Sequence, residues 1–221
     1  MTGQSHARWA VYFVPEPDEL LGNLGQAWFA AHDRTPYLAS PRRYGFHATL
    51  KAPFHLREDA TADGLRLGAR RLTRRLDPVT LPGLQVVAMG RYLALMPNRP
   101  CPAVGALAER LVVGFDRFRA PRRRHWIGLT PRQRHNARQW GYPWIGRDYR
   151  FHMTLAGPFA AAPDAAWLAR AQRHFVPLAG QSVTIDAISL CRQPSAGVPF
   201  SESTRLPLGG GLRKGGSHSV I

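Results

Sequence analysis

The chain predicts an α+β fold in which a unit of strands and helices occurs twice around a pseudo-two-fold axis. Three observations carry that expectation: an internal repeat, strand pairs joined by short turns, and helical periodicity between them. Residues 43–56, RYGFHATLKAPFHL, and 148–161, DYRFHMTLAGPFAA, align without gaps at a constant offset of 105. Seven of the fourteen positions are identical: Tyr44/Tyr149, Phe46/Phe151, His47/His152, Thr49/Thr154, Leu50/Leu155, Pro53/Pro158 and Phe54/Phe159. An ungapped match with a rare histidine in each copy is hard to obtain without duplication.

Each element has its own warrant. Trp9 to Val14 reads as an opening strand and Asp18 to Ala31 as a helix. After the first repeat segment, Leu65, Ala69, Leu72 and Leu76 recur at helical spacing within Ala60 to Leu76. Leu81 to Met89 and Arg91 to Met96 follow as strands turning at Gly90. Val104 to Phe118 and Pro131 to Gln139 read as helices before the second segment, and Pro163 to Phe175 as the helix after it. Ser182 to Cys191 and Val198 to Leu206 are then strands joined through Pro194 to Gly197. The expected organisation is one bilobal domain over 1–208, with lobe one about 8–98, lobe two about 99–208 and exchange of elements allowed. Two antiparallel sheets flanked by helices would face a central cleft. The arginine- and tryptophan-rich run 120–147 should be partly helical and border that cleft, and the glycine-rich tail 209–221 should be disordered.

Composition narrows the function classes. No run approaches the roughly 20 apolar residues of a membrane span, and the start lacks the order of a secretory signal, so a cytoplasmic protein with no membrane partner is expected. Cys101 and Cys191 stand in no metal or disulfide spacing and read as buried thiols. Thirty basic against fourteen acidic residues give a formal charge of +16, which favours anionic ligands. Only Lys51 and Lys214 are lysines, so a GC-rich coding bias explains the arginine excess equally well. The cluster Arg117, Arg119, Arg122, Arg123 and Arg124 reads either as a solvated loop or as a lid over an anionic site.

Side chains two apart on a strand share a face. His47 and Thr49 should therefore project together with Arg43, Gly45 and Lys51, and His152 and Thr154 with Asp148 and Arg150. Tyr44, Phe46, Tyr149 and Phe151 fall on the opposite, core face. If the units are related by a two-fold axis, two imidazoles meet across the cleft. In-line displacement at phosphorus needs a proton removed on one side and delivered on the other, and imidazole serves either purpose near neutrality. The catalytic candidates are thus His47 and His152, in either assignment. Substrate-binding candidates are Thr49, Thr154, Lys51 and Arg150, with Tyr12 on the first strand as a further one. A bulge would turn Lys51 or Arg150 away. His55, His125 and His135 have no paired copy and read as surface residues. A metal site would want more ligands than the one nearby acid, Asp148, so no metal or cofactor is expected.

With those residues in hand, the sequence resembles the two-histidine phosphoesterase superfamily, whose hallmark is one HxT or HxS motif per lobe, here HATL at 47–50 and HMTL at 152–155. It is still more similar to a bacterial branch associated with phosphonate metabolism, through RYGFHATLKAPFHL, DRFRAPRR at 116–123, QWGYPWIG at 139–146 and YRFHMTLAGPF at 149–159. The similarity covers roughly Arg8 to Leu206. It implies a bilobal, LigT-like fold with a V-shaped cleft, histidine catalysts at His47 and His152, and phosphate-contacting hydroxyls at Thr49 and Thr154. It further implies metal-independent opening of a small cyclic phosphate or diester, such as a phosphorylated sugar or phosphonate intermediate. An RNA-end phosphodiesterase and a non-catalytic phosphate- or RNA-binding module are the rivals. A monomer is expected, with RNA as a possible partner.

Overall fold

The computed structural model describes residues 7–121 and 125–209. Its main sheet has seven antiparallel strands in the order β4-β5-β6-β2-β1-β8-β9, and a two-stranded sheet pairs β3 with β7. The strands are β1 (Arg8–Phe13), β2 (Ala48–Phe54), β3 (Val79–Leu81), β4 (Leu84–Met89), β5 (Tyr92–Pro97), β6 (Met153–Ala156), β7 (Val183–Ile185), β8 (Ala187–Gln193) and β9 (Ser201–Pro207). The helices are α1 (Leu20–Ala31), α2 (Ala39–Tyr44), α3 (Ala62–Thr73), α4 (Pro102–Asp116), α5 (Pro131–Trp140) and α6 (Ala165–His174). The α+β class holds. The two expected sheets are halves of one, because β2 and β6 meet through a single registered pair, Ala48 with Met153.

Apart from the edge strand β9, the strand order is palindromic about that joint. β1 pairs β2 as β5 pairs β6, β8 pairs β1 as β4 pairs β5, and β3 pairs its counterpart β7. Each HxT strand is also backed by a helix of the other copy: α4 packs on β2, and α1 packs on β6. Trp28 of α1 is fully buried there and donates its indole N–H to the Leu155 carbonyl at 3.0 Å. The periodicity read in α3 buries Leu65 and Ala69, and the helix opens where the Thr61 hydroxyl accepts from the Gly64 N–H. α5 opens with a reciprocal capping box between Thr130 and Gln133, and α6 with Asp164 accepting from the Trp167 N–H.

Alternation carried the first strand too far back. The expected strand start at Arg43 is instead α2, which closes at Gly45 with φ of +74°, a conformation that glycine adopts without penalty. Both histidines precede their strands by one residue. Cys191 is buried as expected, whereas Cys101 at the α4 N-terminus is only half-buried; both are free thiols. The Arg122 to Arg124 part of the basic cluster and the tail from residue 210 lie outside the described residues.

Candidate active site

The palindrome brings the four motif residues together. His47, Thr49, His152 and Thr154 all line one cleft of about 340 Å³, and Tyr12 lines it as well. The two imidazoles are held alike. His47 Nδ1 lies 2.9 Å from the Gly45 carbonyl and His152 Nδ1 2.8 Å from the Arg150 carbonyl. A carbonyl oxygen only accepts, so each Nδ1 carries the proton and the neutral ring keeps Nε2 as its acceptor. The Thr49 hydroxyl lies 3.2 Å from His47 Nε2 and donates to it.

The surroundings of the two rings differ. Tyr12 pairs with Thr49 across β1 and β2 and lays its ring against His47, with centroids 4.0 Å apart. Burial, and to a smaller extent the charge of His152, bring His47 down to about 4, against the backbone hydrogen bond to Gly45. Burial also holds the Tyr12 phenol well above its ordinary value. The position equivalent to Tyr12 opposite Thr154 is Ala94.

Lys51 does not reach the cleft, and a β-bulge is the reason. Tyr12 faces Thr49 while the next residue back on β1, Val11, faces Lys51, so Leu50 is an extra residue on β2. The same irregularity recurs in the second copy, where Ala94 faces Thr154 and Leu93 faces Ala156. Leu50 and Lys51 therefore both turn to the core. Lys51 is 3% exposed, donates to the Val112 carbonyl at 3.2 Å, and sits 3.9 Å from Asp116 and over the Phe54 ring. Its burial lowers the ammonium to about 8, with Asp116 opposing.

Arg150 is exposed. Its backbone holds His152, and its side chain borders an adjoining basin of about 560 Å³ that shares Thr49 and His152 with the cleft. Asp148 is engaged by Arg132 at 2.7 and 2.9 Å, which holds its carboxyl below the usual range. Of the unpaired histidines, His125 and His135 are exposed and His55 is half-buried. No group of three His, Cys, Asp or Glu side chains among the described residues could hold a metal ion.

Several cleft residues escaped the sequence reading, Arg8, Tyr44 and Tyr142 among them. Arg8 lines the cleft, braced by the buried Gln193 side chain at 2.7 Å and the Phe200 ring. It alternates with Tyr12 through Ala10, so the period of β1 was a sufficient signal. Tyr44 lines the cleft stacked on Phe200, because Gly45 breaks the alternation that assigned it to the core. Tyr142, on the connection after α5, also lines it. Among its described residues, the run 120–147 is partly helical through α5 and borders the cleft through Tyr142, as expected.

Comparison with known proteins places the chain. The family described as "Protein of unknown function (DUF1045)" matches residues 49–201, more than half of its length. The chain belongs to that family. It is 34% identical over 238 residues to "Ribose 1,5-bisphosphate phosphokinase PhnN" of Janthinobacterium sp. (strain Marseille), covering 95% of this chain and 52% of that protein. It is 33% identical over 211 residues to the protein of the same name in Laribacter hongkongensis (strain HLHK9), covering 87% and 50%. The chain thus spans about half the length of the curated relatives it matches. Its fold is that of E. coli LigT, solved with 3'-AMP: the TM-score is 0.50 at 16% identity, over 91% of this chain and 97% of LigT. The fold implied by the paired HxT motifs is the one found. Among the described residues, no helix is long and apolar enough to cross a membrane.

Proposed function

We propose that this DUF1045 chain is a metal-independent phosphodiesterase that opens a small cyclic phosphate or phosphodiester, with His47 and His152 as its base and acid. One observation carries the reading: two HxT motifs line a single cleft, each imidazole fixed at Nδ1 by a carbonyl two residues back. The lowered pKa of His47 leaves its Nε2 unprotonated at neutral pH and suited to accept a proton. In the proposed step, His47 Nε2 takes a proton from water as the water oxygen bonds to phosphorus. The bond from phosphorus to the leaving oxygen breaks, and that oxygen receives the Nε2 proton of His152, which enters the step as an imidazolium protonated on both nitrogens. Thr154 donates to a non-bridging oxygen, Thr49 does the same as its hydroxyl turns from His47 Nε2 to the bound phosphate, and Arg8 supplies positive charge in place of Lys51.

A phosphorylated sugar or phosphonate-pathway intermediate is the substrate class we favour. The name shared by the two relatives speaks of a ribose carrying two phosphates; their kinase reaction belongs to proteins twice as long. Phosphorus NMR of cyclic sugar phosphates incubated with the chain tests the reading. Ring opening to a monoester, undiminished by EDTA, is the expected result, and recovery of every diester intact refutes it. An RNA-end substrate is the second reading, favoured by Trp144, Arg147 and Arg150 along the adjoining basin. Competition by single-stranded RNA with a steep salt dependence would select it.

A further inference from the structure

Besides His152, the connection between α5 and β6 brings Tyr142 to the cleft, and a half-buried ion network fixes its backbone. Tyr142 lines both the histidine cleft and the adjoining basin. Tyr12 of β1 lines the same cleft, so this connection and β1 border one space. Tyr149 itself donates its hydroxyl to the Thr49 carbonyl at 3.1 Å, tying this connection to the first HxT strand.

Arg119 is the anchor beneath Tyr142. Its Nε donates to Asp116 Oδ1 at 2.6 Å, and Nη2 donates to the Gln139 carbonyl at 2.9 Å, in the last turn of α5. The same Asp116 faces Lys51 on β2. The Arg119 backbone is stitched to the chain leaving β2: Leu56 bridges Arg119, and the Ala120 N–H donates to the His55 carbonyl at 2.8 Å. Beyond Gln139 the helix closes at Gly141, in the left-handed region at φ of +72°, where an added Cβ would stand 3.0 Å from Arg119 Nη1. Asn136 holds the far side of the turn by donating to the carbonyls of Pro143 and Ile145 at 3.1 and 3.4 Å. The turn carrying Tyr142 is therefore clamped at both ends, and one clamp shares its carboxylate with the working strand.

We infer that the Tyr142 hydroxyl is a third phosphate-binding donor beside Thr49 and Thr154, and that Arg119 is its positioning residue, acting through the closed end of α5. The inference rests on the phosphodiesterase reading for its place in catalysis, but its test does not. Calorimetric titration with inorganic phosphate reads the donor without turnover. Tyr142→Phe, which removes only the hydroxyl, should weaken phosphate binding roughly tenfold, the value of a hydrogen bond to a charged group. Arg119→Gln should weaken it by a similar factor, and Arg119→Lys, which keeps one of the two contacts, by less. The Tyr142→Phe/Arg119→Gln double variant should be no weaker than the worse single one within about twofold, since both remove one interaction. Gly141→Ala, which crowds the guanidinium without touching charge, should mimic Arg119→Gln.

With a diester that is turned over, the same variants should raise KM more than they lower kcat. An Arg119 variant that only lowers the melting midpoint while binding phosphate like the parent overturns the positioning role. Unchanged phosphate affinity in Tyr142→Phe, multiplying single effects, or no phosphate binding by the parent chain overturns the inference as a whole. Should the parent bind phosphate but open no diester, the functional reading fails and the affinities alone decide this one.

Discussion

The two HxT copies share their backbone and differ in their neighbours. Both place an imidazole one residue before a strand, both fix Nδ1 on a carbonyl two residues back, and both carry a bulge after the threonine. Around that common frame, Gly45 stands where Arg150 does, Tyr12 where Ala94 does, and Lys51 where Ala156 does. The first histidine is pressed against a phenol ring and driven toward its neutral form; the second sits beside an exposed arginine. The repeat supplies matched positions, and the flanking residues set them in different surroundings.

The comparison breaks most sharply at the histidines. His47→Ala and His152→Ala should each lower kcat by about 10² to 10⁴ against a cyclic phosphate. Near-parental turnover in either variant removes its ring from the chemistry. Next in size is the pH profile. Because His47 is lowered to about 4, the proposed base stays competent throughout the neutral range, and the acid limb of kcat/KM should lie near pH 4. Tyr12→Ala opens the ring to water and should move that acid limb upward toward 6.5, whereas Ala94→Ser in the other copy should leave it in place. Thr49→Val and Thr154→Val should each cost roughly tenfold in kcat/KM by removing one donor to the phosphate.

The smallest catalytic effect belongs to Lys51. Lys51→Met should leave kcat within about twofold, since the side chain faces α4, and should show its consequence in stability instead. The native ammonium loses its proton near 8 and the unfolded one near 10.5. Below 8 the buried charge therefore costs stability in full, and the cost is relieved as pH rises from 8 to 10.5. Urea midpoints of the parent chain should carry that rising contribution, and the methionine variant should lack it.

How far the sequence was legible depends on the range of the information. The repeat, the α+β class and the helical stripe of α3 are local patterns, and the structure has them where periodicity placed them. The bulge at Leu50 is a property of two strands in register, invisible to alternation along one, so Lys51 was assigned to the wrong face. Tyr44 was lost to the left-handed Gly45, which reads as an ordinary strand position when followed by His47 and Thr49. Tyr142 lay inside the QWGYPWIG motif and the run expected to border the cleft, but an irregular connection has no period, and its tie to Arg119 through the Gln139 carbonyl comes from some twenty residues upstream. Arg8 was readable from β1 alone and was passed over.

The crossed packing of α1 on β6 and α4 on β2 has a consequence for how such a molecule could arise and diverge. A pair of identical short chains docked around the same axis would complete the same basin, but every change near one imidazole would be copied at the other. Once the two are threaded on a single polypeptide, a tyrosine can appear on one side and an alanine remain on the other. Asymmetry of duty then needs no asymmetry of scaffold.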